Sequence, residues 1–175
     1  MSDQQSLLFQ AVIDNNPSLV TRLVSRDTSL ARCTDSQGWT ALMVAAEHGH
    51  TEVCQALLLH GADVDSTNSQ GYTALHGAAG YGHTSTVSLL LAQGAALTAK
   101  TRLGSTPLHL ASQSGYLDTV LTLCRAGADI TAVNNYGDAA IHAAAEYGGT
   151  DVVLALVDRG CDINLVSKDS IARVL

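Results

Sequence analysis

Short stretches of apolar residues with helical spacing run through this chain. Within residues 35–67, the first stretch follows the i, i+3, i+4 pattern of a one-sided helix and consists of Leu42, Ala45 and Ala46. The second stretch forms an apolar face from Val53, Leu57 and Leu58. Gly49 lies between them, where a glycine commonly follows the last turn of a helix. The pattern therefore predicts two short helices, the second of which ends at Gly61.

Polar residues at the start of this unit predict a turn. The stretch 35–38 combines Asp35, an Asx residue, with Gly38, which is free to adopt a positive φ. Thr40 is placed to cap the first helix. Helices of about nine residues are too short to be stable alone in water, so we expect these helices to fold only by stacking on neighbours.

Glycine positions indicate that the unit is repeated. Three sets of glycines recur every 33 residues: Gly38, Gly71, Gly104 and Gly137; Gly49, Gly82, Gly115 and Gly148; and Gly61, Gly94, Gly127 and Gly160. A fixed period of this length is the signature of a stacked repeat protein. Such arrays usually offer a surface to a partner, so the residues that differ between repeats become the functional candidates.

The repeated motif resembles that of the ankyrin repeat. It reads Thr73-Ala74-Leu75-His76, then Thr106-Pro107-Leu108-His109, then Ala139-Ala140-Ile141-His142. The resemblance implies an all-α ankyrin-repeat solenoid, in which helix-turn-helix units are joined by β-turn hairpin loops. Ala139 and Ala140 depart from the usual Thr-Pro pair, so we expect the start of that helix to be less well fixed.

The period divides the chain, which we treat as one ankyrin repeat domain spanning residues 1–175. Residues 2–34 are expected to form an N-terminal capping repeat, in which polar residues replace the glycines. Full repeats are expected at 35–67, 68–100, 101–133 and 134–166, and residues 167–175 begin an incomplete sixth repeat. Either the chain is part of a longer protein, or its last helix pair contacts a partner or another copy. In the second case we expect self-association through the uncapped C-terminal repeat.

Charge and composition narrow the classes of partner. The formal net charge is −7, which disfavours nucleic acid because phosphates call for clustered Lys and Arg. No apolar run is long enough to insert into a bilayer, and the N-terminus lacks the pattern of a signal peptide. The four cysteines form no CxxC motif and are typical of reduced thiols. We therefore expect a cytoplasmic protein, with the nucleus as the alternative.

Recurring histidines and a glycine-rich stretch are the candidates for chemistry. His76, His109 and His142 lie one repeat apart, at about 10 Å, which is too far to share a metal ion. The ankyrin resemblance implies instead that this histidine bonds to backbone around the turn. Residues 77–82 space their glycines in reverse of the nucleotide-binding order and lie within a predicted helix. We expect no metal site, no cofactor and no enzymatic activity.

The resemblance implies that a protein partner binds the turn tips and the concave side of the first helices. The variable residues at these positions, which are our expected partner-binding residues, are Gln37, Trp39, Glu47, His48, Gln70, Tyr72, Gly77, Gly80, Tyr81, Arg102, Leu103, Gln113, Tyr136, Asp138, Glu146 and Tyr147. Aromatic members are the strongest candidates, since Trp, Tyr and Arg are the usual interface hot spots. The alternative is that Trp39 and Tyr72 only cover the neighbouring turn.

Two glycines of this set interrupt a predicted helix. Gly77 and Gly80 each cost about 0.5–1 kcal/mol relative to alanine in a helix. Because both lack a side chain, we expect them to leave an open notch in the concave face between His48 and Tyr81.

These features predict a non-enzymatic protein–protein interaction module that acts as an adaptor, scaffold or inhibitor. One alternative is the targeting or regulatory segment of a larger enzyme, channel or ubiquitin-ligase subunit. Another is a small inhibitor similar to the ankyrin inhibitors of cyclin-dependent kinases, which have a shortened first helix in their second repeat. The full-length helix predicted between Thr40 and His48 counts against this last alternative.

Overall fold

Paired helices make up most of the molecule. The computed structural model describes residues 2–162. The α-helices in this range are α1 (Asp3–Ile13), α2 (Pro17–Arg26), α3 (Ala41–Glu47), α4 (Thr51–Leu59), α5 (Ala74–Gly80), α6 (Thr84–Ala92), α7 (Pro107–Gln113), α8 (Leu117–Arg125), α9 (Ala140–Glu146) and α10 (Thr150–Val157). A 3₁₀ helix, Thr28–Arg32, follows α2. None of the helices in residues 2–162 has the length and apolar character needed to span a membrane.

The helices stack in two layers, and each helix pair contacts the next pair. The first helices of successive pairs, α1, α3, α5, α7 and α9, pack on one another, and the second helices, α2, α4, α6, α8 and α10, form the other layer. Between the layers runs a column of equivalent residues 33 positions apart, namely Leu57, Leu90, Leu123 and Leu156, all fully buried. The all-α solenoid expected from the sequence is confirmed.

All twelve periodic glycines adopt positive φ, between 70° and 93°. Gly49 shows why this matters. It follows the C-cap of α3 at φ 70°, and the chain must reverse there to begin α4. In the first helix pair, Asn15 adopts φ 49° directly after α1 and performs the same reversal. Asn tolerates this conformation better than most residues, which agrees with the polar replacement of glycine expected in this part of the chain.

Hairpin loops connect the helix pairs, and their tips are bonded to one another. The Oδ1 atom of Asp35 accepts hydrogen bonds from the backbone N–H groups of Gln37 (2.8 Å) and Trp39 (2.9 Å). Asn68 and Asn134 hold the equivalent loops in the same way. The tips then form a ladder: the N–H groups of Ser69, Arg102 and Asn135 donate to the carbonyls of Gln37, Gln70 and Leu103 at 3.4, 2.8 and 2.9 Å. The tips are therefore held in fixed register.

Threonine side chains cap the first turns of α3 and α5, whereas Thr106 before α7 bonds to Nδ1 of His109. The Oγ1 atom of Thr40 accepts the N–H of Met43 at 3.1 Å, and that of Thr73 accepts the N–H of His76 at 3.4 Å. Ala139 occupies the same position before α9 and has no oxygen to offer. The incomplete sixth repeat expected at 167–175 lies outside the described residues.

Candidate functional site

An open cleft of about 600 Å³ lies between the hairpin tips that precede α3 and α5 and the ends of these two helices. Six of the expected partner-binding residues line it: Gln37, Trp39, Glu47, Gln70, Tyr72 and Tyr81. Asn68 and Ser69 complete the wall. The cleft therefore gathers residues that are up to 44 positions apart in the sequence, counted from Gln37 to Tyr81.

Stacked rings form the apolar part of the cleft. The centroids of Trp39 and Tyr72 are 5.6 Å apart with the planes tilted by 46°, and Tyr72 stacks on His76 at 5.3 Å. Aromatic pairs favour such tilted or offset arrangements at this separation. Trp39 and Tyr72 are both half-buried, whereas Tyr81 is 52% exposed. The Trp39 ring thus packs against Tyr72 of the neighbouring hairpin, and it also lines the cleft.

Glu47, at the end of α3, brings negative charge to the two tyrosines. Its negative charge, close to the Tyr81 hydroxyl, raises the pKa of Tyr81. Burial, followed by the same carboxylate charge, raises the pKa of Tyr72 to about 12. Both hydroxyls consequently remain protonated at neutral pH and can donate hydrogen bonds.

The two interior glycines of α5 do not leave the expected open notch. Gly77 is buried, and a Cβ atom added there would lie 3.4 Å from the Cα, Cβ and N atoms of Glu47. The space is filled because helix α3 approaches closely at this point. At Gly80, an added Cβ would lie 3.6 Å from the Tyr72 hydroxyl oxygen and from Cβ of Leu110. The concavity lies instead among the rings, and the glycines allow α3 and Tyr72 to approach α5.

The recurring histidines His76 and His109 form hydrogen bonds with backbone groups. Nδ1 of His76 accepts the N–H of Thr73 at 3.2 Å, so the proton resides on Nε2, which donates to the carbonyl of Ser105 at 3.0 Å. His109 repeats this arrangement with Thr106 and with the carbonyl of Asp138, at 3.2 and 2.9 Å. Burial lowers the pKa of His76 to about 4 and also lowers that of His109. Both rings are therefore neutral, and each forms a hydrogen-bonded link between consecutive repeats.

Residues 2–162 contain no group of three or more His, Cys, Asp or Glu side chains arranged to hold a metal ion. Cys54 and Cys161 are buried and Cys33 and Cys124 are half-buried, all as free thiols. Burial raises the pKa of Cys54 to about 12, so this thiol is a poor nucleophile.

The remaining predicted residues lie outside the cleft. Exposed members of this group are His48, Arg102, Leu103, Gln113, Tyr136, Glu146 and Tyr147, and Asp138 is half-buried. Nδ1 of His48 is 2.9 Å from the carbonyl of Val44, one turn back in the same helix. These residues continue the exposed face along the array, and their binding role stays a prediction.

Sequence reasoning missed Asn68 as part of the cleft wall. Asn68 is only 8% exposed, and its Oδ1 atom holds the hairpin that carries Gln70 and Tyr72. The available signal was its position, 33 residues after Asp35, which predicts an Asx loop residue and hence a fixed direction for Tyr72.

Comparison with known proteins identifies the family. The ankyrin repeat family model matches the chain in three overlapping copies, at residues 8–101, 56–134 and 97–167. The chain therefore belongs to the ankyrin repeat family, which confirms the resemblance of its motif.

Two relatives match over part of the array. Human ankyrin repeat and SOCS box protein 12 is 36% identical over 69 residues, which are 37% of this chain and 22% of that protein. The NAD-capped RNA hydrolase NUDT12 of Macaca fascicularis is 41% identical over 65 residues, which are 35% of this chain and 14% of the relative. The matched region thus spans less than a quarter of the length of either relative.

Proposed function

We propose that this protein is a non-enzymatic recognition module that binds a partner protein through the cleft and the adjoining hairpin tips. The ankyrin family supports protein–protein interaction in general. The observation that carries the specific proposal is the convergence of Trp39, Tyr72 and Tyr81 on one open cleft. Exposed aromatic rings of this kind dominate binding energy at protein interfaces.

Affinity purification with quantitative mass spectrometry tests the proposal. The wild-type chain is compared with Trp39→Ala/Tyr72→Ala and with the control Leu59→Ala, which truncates a side chain that is 77% exposed outside the cleft. We expect a set of proteins to be retained by the wild type and the control but lost from the double variant. Circular dichroism confirms that all three remain folded. Equal recovery with all three would contradict the proposal.

A second candidate is that the array targets a larger enzyme or a ubiquitin-ligase subunit. The relatives favour it, because one is named for ankyrin repeats with a SOCS box and another is an RNA hydrolase, and each matches over a small part of its length. Coding sequence that continues in frame before Met1 or beyond Leu175 in the source transcript would support this role, and an open reading frame that covers only these residues would contradict it. The kinase-inhibitor alternative is not favoured, since α3 has seven residues, as do α5, α7 and α9.

The proposal also includes self-association through the last repeat and a location in the cytoplasm. Leu154 on α10 is 57% exposed and would contribute to contact between copies, together with Leu165, Ile171 and Val174, which lie outside the described residues. Light scattering at rising concentration tests this, and a constant monomer mass would contradict it.

The free thiols support a cytoplasmic protein, with the nucleus as the alternative. Imaging of a tagged chain in cells would distinguish the two locations.

A further inference from the structure

We propose that the cleft holds the guanidinium group of an arginine side chain presented by the partner protein. This inference rests on the proposed function and specifies the chemistry that the cleft recognises. Four features carry it: the charge of the cleft, its ring surfaces, its hydrogen-bond acceptors and the rigidity of its walls.

The cleft carries one sign of charge. Among the described residues that line it, Glu47 is the only charged side chain, and the others are Gln, Asn, Ser, Trp and Tyr. Arg102 lies on the neighbouring tip and bonds to Gln70 through its backbone N–H, but its side chain does not line the cleft. The carboxylate of Glu47 therefore has no cationic partner within the cleft wall. A cation from another molecule would complement it.

The rings offer surfaces that attract a cation. Trp39 and Tyr72 are tilted against each other at 5.6 Å, and Tyr81 also lines the cleft, close to Glu47. The faces of Trp and Tyr attract cations placed within about 6 Å of the ring centroid, and Trp is the strongest of them. Both tyrosines keep their protons at neutral pH, so the attraction comes from ring faces and from Glu47 together.

The distribution of acceptors favours guanidinium over ammonium. Gln37, Ser69 and Gln70 line the cleft at the hairpin tips, and each side chain has an oxygen that accepts hydrogen bonds, while Glu47 lies at the end of α3. A carboxylate accepts several hydrogen bonds, so that of Glu47 can receive two parallel N–H donors. Guanidinium is planar, stacks on rings and carries five donors in a fixed fork, whereas ammonium is compact and strongly hydrated. An open cleft that combines aromatic rings with several separate acceptors suits the planar group.

The walls are held in place before any partner arrives. Asp35 and Asn68 fix the two hairpins that carry Trp39 and Tyr72, and the N–H of Ser69 donates to the carbonyl of Gln37 between the tips. The Tyr72 hydroxyl rests near Gly80, where only a glycine or another small residue leaves this space. Little ordering of the site is then needed on binding, which favours affinity.

Fluorescence of the single tryptophan provides a local test, because Trp39 is the only Trp of the chain. The probe is the capped peptide Gly-Gly-Arg-Gly-Gly, titrated into the full-length protein. We expect a saturable change in Trp39 emission. The same peptide with citrulline, the uncharged counterpart of arginine, should bind about tenfold more weakly, and the lysine peptide several-fold more weakly.

Matched variants locate the effect. Glu47→Gln removes the cleft charge and should weaken arginine-peptide binding about tenfold. Glu52→Gln is the control, since it removes an exposed carboxylate on α4 that does not line the cleft. It should leave binding unchanged. No saturable change, equal binding of citrulline or lysine peptide, or an equal effect of the two Gln variants would each overturn the inference.

A second experiment separates this inference from the proposed function. Peptides selected from a random display library on the wild-type chain are resynthesised with every arginine replaced by citrulline. We expect binders that need both Trp39 and an arginine. Binders that need Trp39 but tolerate citrulline would overturn the arginine inference and leave the proposed function standing. Binders that ignore Trp39→Ala would count against both.

Discussion

The His76 side chain shows how one residue joins two repeats. Its ring accepts the N–H of Thr73 within its own repeat and donates to Ser105 in the next one. The bond from Thr73 requires the neutral ring, because protonation would place a hydrogen on the nitrogen that accepts it, whereas the bond to Ser105 can be donated by either form. The ring is buried, which lowers its pKa from 6.5 to about 4.

This coupling predicts that stability falls in weak acid. The folded-state pKa lies below the unfolded value, so the unfolded chain binds more protons as pH drops from 6.5 towards 4. The stabilisation is complete above 6.5 and is lost through this window. We expect His76 to contribute a loss of about 2 kcal/mol between about pH 7.5 and pH 5, measured by urea unfolding. His76→Gln should flatten this dependence, whereas the exposed His48→Gln should not; an unchanged slope in His76→Gln would disprove the coupling.

A buried hydroxyl in α7 predicts a stabilising substitution. Ser112 is fully buried, and its Oγ atom has no hydrogen-bond partner among the described residues. The equivalent residues one and two repeats earlier, Ala79 and Ala46, are also fully buried. Because an unsatisfied buried polar group is costly, Ser112→Ala should raise the free energy of unfolding by about 1 kcal/mol. Exposed Ser114→Ala is the control, and a loss of stability in Ser112→Ala would show that the hydroxyl is satisfied.

At the scale of single helices, a threonine cap distinguishes α3 and α5 from α9. Thr40 and Thr73 supply an oxygen to the first turn of α3 and α5, and Ala139 supplies none to α9. Ala139→Thr should therefore stabilise the protein by about 1 kcal/mol in urea unfolding, as typical N-caps do. Thr40→Ala is the reciprocal variant and should cost a similar amount. If both changes left the unfolding midpoint in place, capping would not limit the stability of these helices.

The helices themselves were predictable, but their closest approaches were not. The glycine period located the helix pairs from α3 onward, and the Thr-x-Leu-His motif marked the starts of α5 and α7, because these residues act through local backbone geometry. The notch expected at Gly77 was wrong, since a helical glycine looks the same in sequence whether it faces solvent or a neighbouring backbone. The partnerless hydroxyl of Ser112 also depends on packing that local patterns do not reveal.

The cleft was predictable in part. Variable positions at the tips and on the first helices predicted Trp39, Tyr72 and Tyr81 as partner-binding residues, and all three line one cleft because equivalent positions of stacked repeats adjoin. The direction of each ring depends on the Asx bonds of Asp35 and Asn68 and on the space above Gly80.

For the whole molecule, stability is expected to decline towards the last described repeat. Each repeat is stabilised by its neighbours, so repeat arrays unfold as coupled units. Helix α9 lacks a side-chain cap and Ala145, Glu146 and Tyr147 at its end are exposed. Hydrogen exchange should therefore show faster exchange in α9 and α10 than in α5 to α8. Uniform protection across these helices, or stronger protection in α9, would contradict this expectation.

The hydrogen bonds between the hairpin tips also fix the spacing of the tips along the array. Stacked helices lie about 8–10 Å apart, and an extended peptide advances about 3.3 Å per residue. Because each tip donates to the one before it, from Ser69 to Asn135, neither their order nor their spacing can drift. A partner segment in the polyproline II conformation, with three residues per turn and about 3.1 Å per residue, would meet successive tips with every third side chain. Its recognition sequence would accordingly have a period of three, with the intervening residues free to vary.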